Sequence, residues 1–372
     1  MKSPFAGASV AGRPVGISLL TLVPGALGGT ETYVRGLTHA LAEEGGERLR
    51  VLLPPIAPEA GGGLDTAVVR EYRPARTPAE RLRAMATAAA RPGPIRRHFA
   101  ALAAVHYPLT IALPEPGGGR PFAVTLHDLL HLDRPELFPR AEAMLRWLTY
   151  DRPARRSALV IVPSGFVLDR AVELLGIAPE RIRVIPHGID HDRFRPGPEA
   201  REPFLLYPAR PWPHKNHARL FEAFELVRRE RPELRLVLTG GGHEGRPVPP
   251  GVEVRGLVPD EELVSLLRRA AALVFPSLYE GFGAPPLEAR ACGCPVAASR
   301  AASLPETCGD AAVLFDPTAP EDIARAALAA IDRTEELSVR GPERAAAFTW
   351  QRSARAHREV YDELEGLASS RS

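Results

Sequence analysis

The stretch ALVFPSLYEGFGAPPLEARACGCPVAAS, residues 272–299, decides the fold of this chain. It opens with a short apolar run, residues 273–275, whose length and composition are typical of a strand buried on both faces. A glycine-rich loop follows, and then Pro285 and Pro286 stand where a helix tolerates proline, in its first turn. Gly293 ends that helix, and residues 295–298 predict the next strand. This order indicates a parallel α/β sheet, which binds ligands at the carboxyl ends of its strands.

Two carboxylates, Glu280 and Glu288, lie eight residues apart on either side of the turn. A helix that begins near Ala284 puts Glu288 in its first turn, so we expect both carboxylates to face one crevice. The amides of Phe282, Gly283 and Ala284 lie at the positive end of the helix dipole, which favours an anion. A carboxylate accepts hydrogen bonds from vicinal hydroxyls, so the pattern indicates sugar hydroxyls beside a diphosphate, as in a nucleotide sugar. The alternative is an ordinary helix N-terminus that happens to carry a glutamate.

Composition narrows the class of protein. A length of 372 residues predicts two or three domains, and 45% apolar with 25% charged residues is ordinary for a globular protein. A net charge of +2 gives no reason to expect nucleic acid as a partner. Three cysteines are too few for a disulfide framework and fit no zinc site. With no signal peptide and no apolar run of membrane length, we expect a cytoplasmic protein, with a loose tail at residues 1–14.

The first half of the chain begins with a predicted strand, residues 15–20, and a turn that ends in Gly28 and Gly29. Thr30 is expected to cap a helix whose apolar stripe faces the core. The turn lacks the full GxGxxG pattern, which disfavours a nicotinamide cofactor. It is interpreted either as a tight turn only or as a ligand-binding loop.

A second strand of interest, residues 121–126, ends at His127 and Asp128. A single histidine after a strand is more often structural than functional. Leu137, Ala141, Met144, Leu145 and Leu148 follow at helical spacing and predict a core-facing stripe. The same region carries several arginines, namely Arg140, Arg146, Arg152, Arg155 and Arg156. They favour a solvated face, and a contact with a membrane surface or an anionic acceptor is the alternative.

The second half repeats the strand–helix rhythm after a polar, proline-rich shift at residues 193–203. A predicted strand, residues 204–207, leads into a loop that carries Arg210 and Lys215. Two cations at the carboxyl end of a strand can neutralise a diphosphate, the arginine as a fork and the lysine as a point charge. Generic surface charge is the alternative interpretation. A further strand runs into a triple-glycine turn around Gly241, and Asp260 is expected to cap the helix at residues 261–270.

Taken together, EGFG, APPLEA and ACGCPV within residues 280–296 resemble the Glu-x7-Glu signature of retaining family-four glycosyltransferases of the GT-B fold. The resemblance extends over residues 15–367 and is strongest at 204–317. It implies an α/β protein with two Rossmann-like domains that face each other across a cleft. The implied boundaries are an acceptor-side domain at 15–190, a linker at 191–203, a nucleotide-sugar-binding domain at 204–349, and a helix at 350–372 that returns to the first domain.

The resemblance also assigns roles to residues. It implies that Arg210 and Lys215 grip the donor diphosphate, that Glu280 binds hydroxyls of the donor sugar, and that Glu288 binds the ribose. His127 would touch the donor sugar from the first domain, and His187 is expected to be structural or hinge-related. The other implied donor-binding positions are Gly28, Gly29, Gly241, Gly256, Leu257, Val258, Phe282, Gly283, Ala284 and Leu287, with the nucleobase near residues 256–258.

The implied activity is transfer of a hexose, with mannose preferred, from a nucleoside diphosphate sugar to an acceptor hydroxyl with retention of anomeric configuration. No metal and no cofactor are expected, because the two cations and the helix amides would stabilise the departing diphosphate. The acceptor would be a glycan, a lipid-linked glycan or a small molecule, with the protein in the cytoplasm or at the inner face of the membrane. A nucleotide-sugar epimerase of the same fold and a catalytically silent sugar-nucleotide-binding protein are the alternatives. Conversion of free donor without acceptor would identify the epimerase, and donor binding without turnover would identify the silent protein.

Overall fold

A computed structural model describes residues 12–74 and 76–370, and the chain divides into two compact units. The first unit comprises Met1–Gly188 together with Trp350–Ser372, and the second comprises Ile189–Thr349. The residues expected to form a linker, 191–203, belong to the second unit. Most of the tail expected at residues 1–14 lies outside the described residues.

The first unit is built on seven parallel strands. They are β1 (Val15–Ser18), β2 (Leu49–Leu53), β3 (Asp65–Val68), β4 (Val105–Tyr107), β5 (Phe122–Thr125), β6 (Leu159–Val162) and β7 (Ile182–Val184). The sheet order is β3-β2-β1-β4-β5-β6-β7. Successive strands are thus added towards one edge up to β3 and towards the other edge from β4 onward, so the strand order reverses between β1 and β4. The accompanying helices are α1 (Gly29–Glu43), α2 (Pro78–Ala90), α3 (Gly93–Phe99), α4 (Leu130–Asp133), α5 (Arg140–Arg146), α6 (Arg152–Arg156) and α7 (Gly165–Leu175).

The second unit is built on six parallel strands. They are β8 (Glu202–Pro208), β9 (Arg235–Thr239), β10 (Val252–Gly256), β11 (Ala270–Phe275), β12 (Val296–Ser299) and β13 (Val313–Phe315), in the order β10-β9-β8-β11-β12-β13. Its helices are α8 (His217–Glu230), α9 (Asp260–Arg269), α10 (Ala284–Ala291), α11 (Leu304–Cys308), α12 (Pro320–Asp332) and α13 (Thr334–Ala345). The chain then returns to the first unit with α14 (Trp350–Ser369).

Buried apolar strands explain why both sheets are parallel and covered by helices. Five of the six residues of β11 are buried, because strands with helices on both faces carry near-continuous apolar runs. In the first unit, the stripe Val34, Leu37 and Leu41 of α1 packs into the core together with Val360 and Leu364 of α14. Both strand orders contain the 3-2-1-4-5-6 arrangement of a Rossmann-like domain, so the expectation of two such α/β domains is confirmed. Across residues 12–74 and 76–370, no helix combines the length and apolar character that crossing a bilayer requires.

Two helix starts differ from the sequence prediction. Helix α1 begins at Gly29 with Gly28 as its N-cap, so Thr30 does not cap it. The preceding turn is instead tied to the helix by Glu31, whose carboxylate accepts the Gly25 N–H at 2.7 Å. Helix α9 begins at Asp260 after Pro259, so Asp260 lies in the first turn rather than at the cap.

The predicted core stripe at residues 137–148 is wrong. Met144, Trp147 and Leu148 are 59%, 44% and 46% exposed. The helix continues from α5 through a π-helical turn, Trp147–Asp151, into α6, and its inward side carries Asp151, which bonds to the buried His131 at 2.9 Å. Helical spacing shows that a helix has an apolar face, but the buried His–Asp pair decides which face points inward.

Candidate functional site

The loops that follow β8 and β11 bring Lys215 and Glu280 together. These two strands are neighbours at the point where the sheet order reverses, and open α/β sheets bind ligands outside the carboxyl ends of such strands. Lys215 Nζ donates to Glu280 Oε1, and the two side chains are only 14% and 13% exposed. The structure therefore joins two predicted site residues that lie 65 positions apart.

A set of backbone contacts holds the lysine loop in place. The Leu278 N–H donates to the carbonyl of His214 at 2.7 Å, which links the two loops directly. Asn216 has a left-handed backbone (φ 61°), and its side-chain amide donates to the Pro276 carbonyl at 3.1 Å. The Tyr207 hydroxyl donates to the carbonyl of Lys215 at 2.6 Å. Lys215 consequently projects from a loop whose main chain is fixed on both sides.

The start of α10 requires a glycine. Gly283 is the N-cap with φ 92°, and a Cβ there would lie 2.6 Å from Leu304 Cδ2. The neighbouring carbonyls are also held, since Thr307 donates its hydroxyl to the Phe282 carbonyl at 2.6 Å and Ser303 donates to the Glu280 carbonyl at 2.9 Å. The helix N-terminus therefore lies beside the Lys215–Glu280 pair in a fixed backbone frame.

The loops after β9 and β10 lie beside the loop that carries Arg210. The Gly240 N–H donates to the Gly256 carbonyl at 2.7 Å, and a Cβ on Gly240 would lie 3.2 Å from the Arg210 nitrogen. A Cβ on Gly241 would approach Leu257 Cγ to 3.2 Å. Leu257 is 74% exposed, and Arg210 is exposed beside Trp212. Four loops of the second unit thus gather the predicted residues Arg210, Lys215, Gly241, Gly256, Leu257, Val258 and Glu280 at one edge of its sheet.

Glu288 is the fifth residue of α10 and lies in its second turn, not in the first turn as expected. Burial raises the pKa of Glu288 to about 7, with a further contribution from Asp260 that Arg193 opposes. Its neighbour Leu287 is fully buried, so that side chain belongs to the core. A carboxyl group with a pKa raised by burial at the ligand-binding edge of a sheet is typical of a functional position.

In the first unit, His127 follows β5 and is held by a carbonyl. His127 Nε2 donates to the Pro108 carbonyl at 2.8 Å, so Nε2 carries the proton and Nδ1 holds a lone pair in the neutral ring. Burial lowers the pKa of His127, with Pro108 and Asp128 opposing the shift. The Asp128 carboxylate accepts the Leu130 N–H at 3.0 Å. The predicted glycine pair lies at the start of α1, where Gly28 has φ 54°.

Sequence reasoning missed the aromatic surroundings of His127. The ring of Tyr33 meets His127 edge-on at 4.9 Å between centroids, and His187 lies 5.5 Å from His127. His187 therefore packs in the same aromatic cluster as His127 and Tyr33. The structural or hinge role expected for His187 did not specify this position. Tyr33 lies one residue before the buried stripe of α1, and that position was the only available signal. The ligand roles assigned to all these residues stay predictions.

Comparisons with known proteins agree with this architecture. A model of Glycosyltransferase Family 4 matches residues 27–193, and a model of Glycosyl transferases group 1 matches residues 188–345. The O-antigen chain mannosyltransferase B of Escherichia coli is 29% identical over 61% of this chain and 66% of its own length. The MMP alpha-(1->4)-mannosyltransferase of Mycolicibacterium hassiacum is 30% identical over 66% of each protein. The chain thus spans just under two thirds of the length of these curated relatives.

Solved structures share the fold. Sucrose-phosphate synthase from Thermosynechococcus elongatus superposes with a TM-score of 0.77 at 22% identity, covering 95% of this chain and all of that one. Anabaena HepE in complex with UDP-glucose gives a TM-score of 0.69 at 17% identity over 94% of this chain and all of that one. With two family models that together account for residues 27–345, the chain belongs to the family-4, group 1 glycosyltransferases of the GT-B fold.

Proposed function

We propose that the protein transfers a hexose from a nucleoside diphosphate sugar to an acceptor hydroxyl. The observation that carries this proposal is the Lys215–Glu280 pair. It lies beside the N-terminus of α10, at the point where the strand order of the second sheet reverses. A cation and a carboxylate side by side suit a ligand that presents phosphate and hydroxyl groups together. The helix N-terminus adds a positive potential for the phosphate.

The proposed donor contacts divide by charge. Arg210 and Lys215 would bind the diphosphate, and Glu280 would accept hydrogen bonds from hydroxyls of the donor sugar. Glu288 would accept from the ribose. The HepE structure was solved with UDP-glucose, which supports a nucleotide sugar as the class of donor. Mannose is favoured as the sugar because two of the relatives are named as mannosyltransferases.

The proposed reaction retains the anomeric configuration. The bond between the anomeric carbon and the phosphate oxygen breaks, the acceptor oxygen bonds to the same face, and its proton passes to the departing phosphate. Arg210, Lys215 and the backbone amides of residues 282–284 would stabilise the charge on that diphosphate without a metal. An inverting reaction would need a general base. His127 and Asp128 are the candidates, and burial lowers the pKa of His127, which weakens it as a base.

A donor panel tests the activity. Thermal-shift measurements with nucleotide sugars should show one nucleotide family that raises the melting temperature, because a ligand of the native state stabilises it. That donor should then be consumed only when an acceptor is present. Epimerisation of the free donor would replace the proposal with the epimerase alternative, and binding without turnover on any acceptor would favour the silent protein.

Proton NMR of the first-formed product tests retention. An α-linked donor should give an α-linked product, read from the anomeric coupling, and activity should survive exhaustive EDTA treatment. A β-linked product would make His127 or Asp128 the general base. Activity lost in EDTA and restored by Mg²⁺ would contradict metal independence.

An exposed surface on the first unit supports a peripheral membrane contact. Met144, Trp147 and Leu148 lie three and four residues apart, so they share one helix face. Exposed arginines stand at both ends of this apolar face: Arg140 before it, and Arg152, Arg155 and Arg156 after it. Arginines that flank exposed apolar side chains suit an anionic lipid surface. The acceptor would then be a glycan carried on a membrane lipid, with a free glycan or a small molecule as the alternative acceptors.

Vesicle sedimentation tests this contact. The protein should bind vesicles of phosphatidylcholine with phosphatidylglycerol more than phosphatidylcholine alone, and salt should weaken the binding. The triple variant Met144→Ser, Trp147→Ser, Leu148→Ser should lose most of it. Leu82→Ser is the control, because Leu82 is 52% exposed elsewhere on the same unit. Equal binding by the triple variant and the control would exclude this surface.

A further inference from the structure

A chain of buried hydrogen bonds connects α14 to the residue that packs against His127. Tyr361 Oη lies 2.9 Å from His106 Nδ1, and His106 Nε2 lies 2.8 Å from Thr125 Oγ1. Thr125 Oγ1 lies 3.3 Å from Tyr33 Oη, which lies 2.8 Å from His357 Nε2. All five side chains are at most 2% exposed. They come from α14, β4, β5 and α1, so the chain crosses the interior of the first unit.

One backbone carbonyl fixes the direction of every bond in this chain. His357 Nδ1 lies 2.7 Å from the carbonyl of Ser353, which can only accept, so Nδ1 carries the proton. Burial lowers the pKa of His357 to about 4, so its ring is neutral and Nε2 must accept the hydroxyl proton of Tyr33. The oxygen of Tyr33 can then only accept from Thr125.

The remaining two bonds follow from the same reasoning. Because the Thr125 hydroxyl donates its proton to Tyr33, His106 Nε2 must carry a proton and donate to Thr125. Burial also lowers the pKa of His106 well below its ordinary value, so its Nδ1 is unprotonated and accepts from Tyr361. The hydrogen-bond chain therefore has one donor-to-acceptor direction, from Tyr361 to the carbonyl of Ser353. Each hydroxyl and each imidazole in it has a single proton position.

The ring of Tyr33 is the point where this chain meets the candidate site. It lies edge-on against His127, at 4.9 Å and 80°, and packs against His187 at 4.5 Å with the two rings tilted by 32°. The hydrogen bond from His127 Nε2 to the Pro108 carbonyl fixes one edge of the imidazole. The Tyr33 ring beside it then limits how far the imidazole can turn about this hydrogen bond. We propose that Tyr33 is a positioning residue for His127 and that α14 fixes Tyr33 through the hydrogen-bond chain. This inference rests on the proposed function, together with the contact between His127 and the donor sugar that the family resemblance implies.

Imidazole tautomers test the chain without any assay of activity. Long-range ¹H–¹⁵N NMR should find His106 protonated at Nε2 and His357 protonated at Nδ1. In Tyr33→Phe, Thr125 no longer has Tyr33 as an acceptor and can donate to His106 Nε2, so His106 should change to the Nδ1-protonated form. His357 should keep its tautomer because Ser353 is unchanged. A wild-type His106 protonated at Nδ1, or no change in the variant, would overturn the directed chain.

Kinetics test the positioning role. Tyr33→Phe keeps the ring and should lower kcat roughly ten-fold, since small misplacements of a positioned group cost that much or more. Affinity for the nucleoside diphosphate should stay within about two-fold, because Arg210, Lys215 and Glu288, the side chains proposed to bind it, lie in the second unit. If the role of Tyr33 were merely structural, the variant would be less stable, but kcat would not fall while the affinity for the nucleoside diphosphate stayed unchanged.

Tyr107→Phe is the matched control for that measurement. Tyr107 is 1% exposed in the same unit, and its hydroxyl donates to the Pro114 carbonyl at 2.7 Å. The control should lose a similar amount of thermal stability while keeping the wild-type kcat. Equal kcat in both variants would refute the positioning role. A wild-type protein that transfers no hexose would instead refute the proposed function, and the tautomer measurement would still decide the chain.

Discussion

Lys215 and Glu280 form one partly buried ion pair. A donor whose phosphate bound Lys215 would therefore break this pair and leave the Glu280 carboxylate without its partner. The diphosphate would replace Glu280 as the partner of Lys215, and Glu280 would then be available to sugar hydroxyls. The pair holds both side chains in place before the donor binds. This would be a form of preorganisation, because the groups proposed to bind the ligand are already fixed by each other.

Removal of either cation should therefore be costly for turnover. Arg210→Ala and Lys215→Ala should each lower kcat by ~10²-fold or more, the scale of losing one charge-stabilising donor. Arg210 is exposed, so its variant should keep the wild-type melting temperature. Lys215→Ala leaves the Glu280 carboxylate without that partner and should melt somewhat lower. Arg231→Ala is the control, since Arg231 forms an exposed pair with Asp332 at 3.1 Å, and wild-type turnover in both test variants would contradict the assignment.

Glu288 combines a cost in stability with a proposed role in binding. Its pKa is about 7 in the folded protein against an ordinary value of 4.5. The protonated form is therefore favoured by folding, and this contribution is fully present below pH 4.5 and is lost as pH rises through about 7. Each unit of pKa difference corresponds to about 1.4 kcal/mol.

Glu288→Gln should separate the two effects. Gln keeps the size of the protonated acid, so the variant should match the wild type near pH 4 and be more stable by roughly 1–3 kcal/mol at pH 8. The same variant should bind the nucleoside diphosphate more weakly by ~1.5–3 kcal/mol at pH 8, the usual value of a hydrogen bond to a charged group. Denaturation and calorimetry at both pH values measure these changes. Unchanged affinity at pH 8 would remove Glu288 from the site.

At the scale of secondary-structure elements, the start of α10 depends on one backbone conformation. Its N-cap, Gly283, has φ 92° and no room for a Cβ beside Leu304. The two prolines that follow fit the first turn because they have no N–H to contribute. The start of this helix is thus fixed by Gly283 and by the two prolines in its first turn.

Gly283→Ala should destabilise the second unit by roughly 1–3 kcal/mol, the usual cost of a strained backbone conformation. Donor affinity should fall with it, because the backbone amides of residues 282–284 would move. Gly366→Ala is the opposite control: Gly366 lies within α14 with open space around it, so alanine should stabilise by about 0.5–1 kcal/mol. Chemical denaturation of both variants measures the signs. A neutral Gly283→Ala would show that the helix can start elsewhere.

At the scale of the whole molecule, α14 belongs to the first unit, although the second unit directly precedes it in the sequence. It starts directly after the second unit ends, yet Ala354, Val360, Tyr361 and Leu364 are members of the first unit's core. The second unit has a core of its own, made from residues 189–345. Each unit therefore has a separate source of stability.

Deletion of residues 350–372 should loosen the first unit only. Amide hydrogen exchange measured by mass spectrometry should rise in peptides that cover α1 and β4, since buried helix contacts protect neighbouring amides. Peptides from β8, β9 and β11 should exchange as in the full chain and so provide the control within the same sample. Equal loss of protection in both units would show that the two cores unfold together.

The strand and helix patterns of both halves, together with the family resemblance of residues 280–296, were enough to predict two Rossmann-like domains. Strand and helix patterns are local, and glycine and proline punctuate them for steric reasons that need no partner. The EGFG–APPLEA stretch could be placed between a strand and a helix for the same reason, because Gly283, Pro285 and Pro286 each restrict the backbone. Residues 54–120 showed no comparable pattern, although they contain β3, α2, α3 and β4.

Only the tertiary structure decided which side chains meet. The pairing of Lys215 with Glu280 joins loops 65 residues apart, and the bond between Tyr33 and His357 spans 324 residues. Such contacts follow from the order of strands across a sheet, which periodicity along the chain does not contain. The stripe around Met144 shows the same limit, because an apolar face predicts a helix, whereas the inward His131–Asp151 pair decides that this face stays exposed.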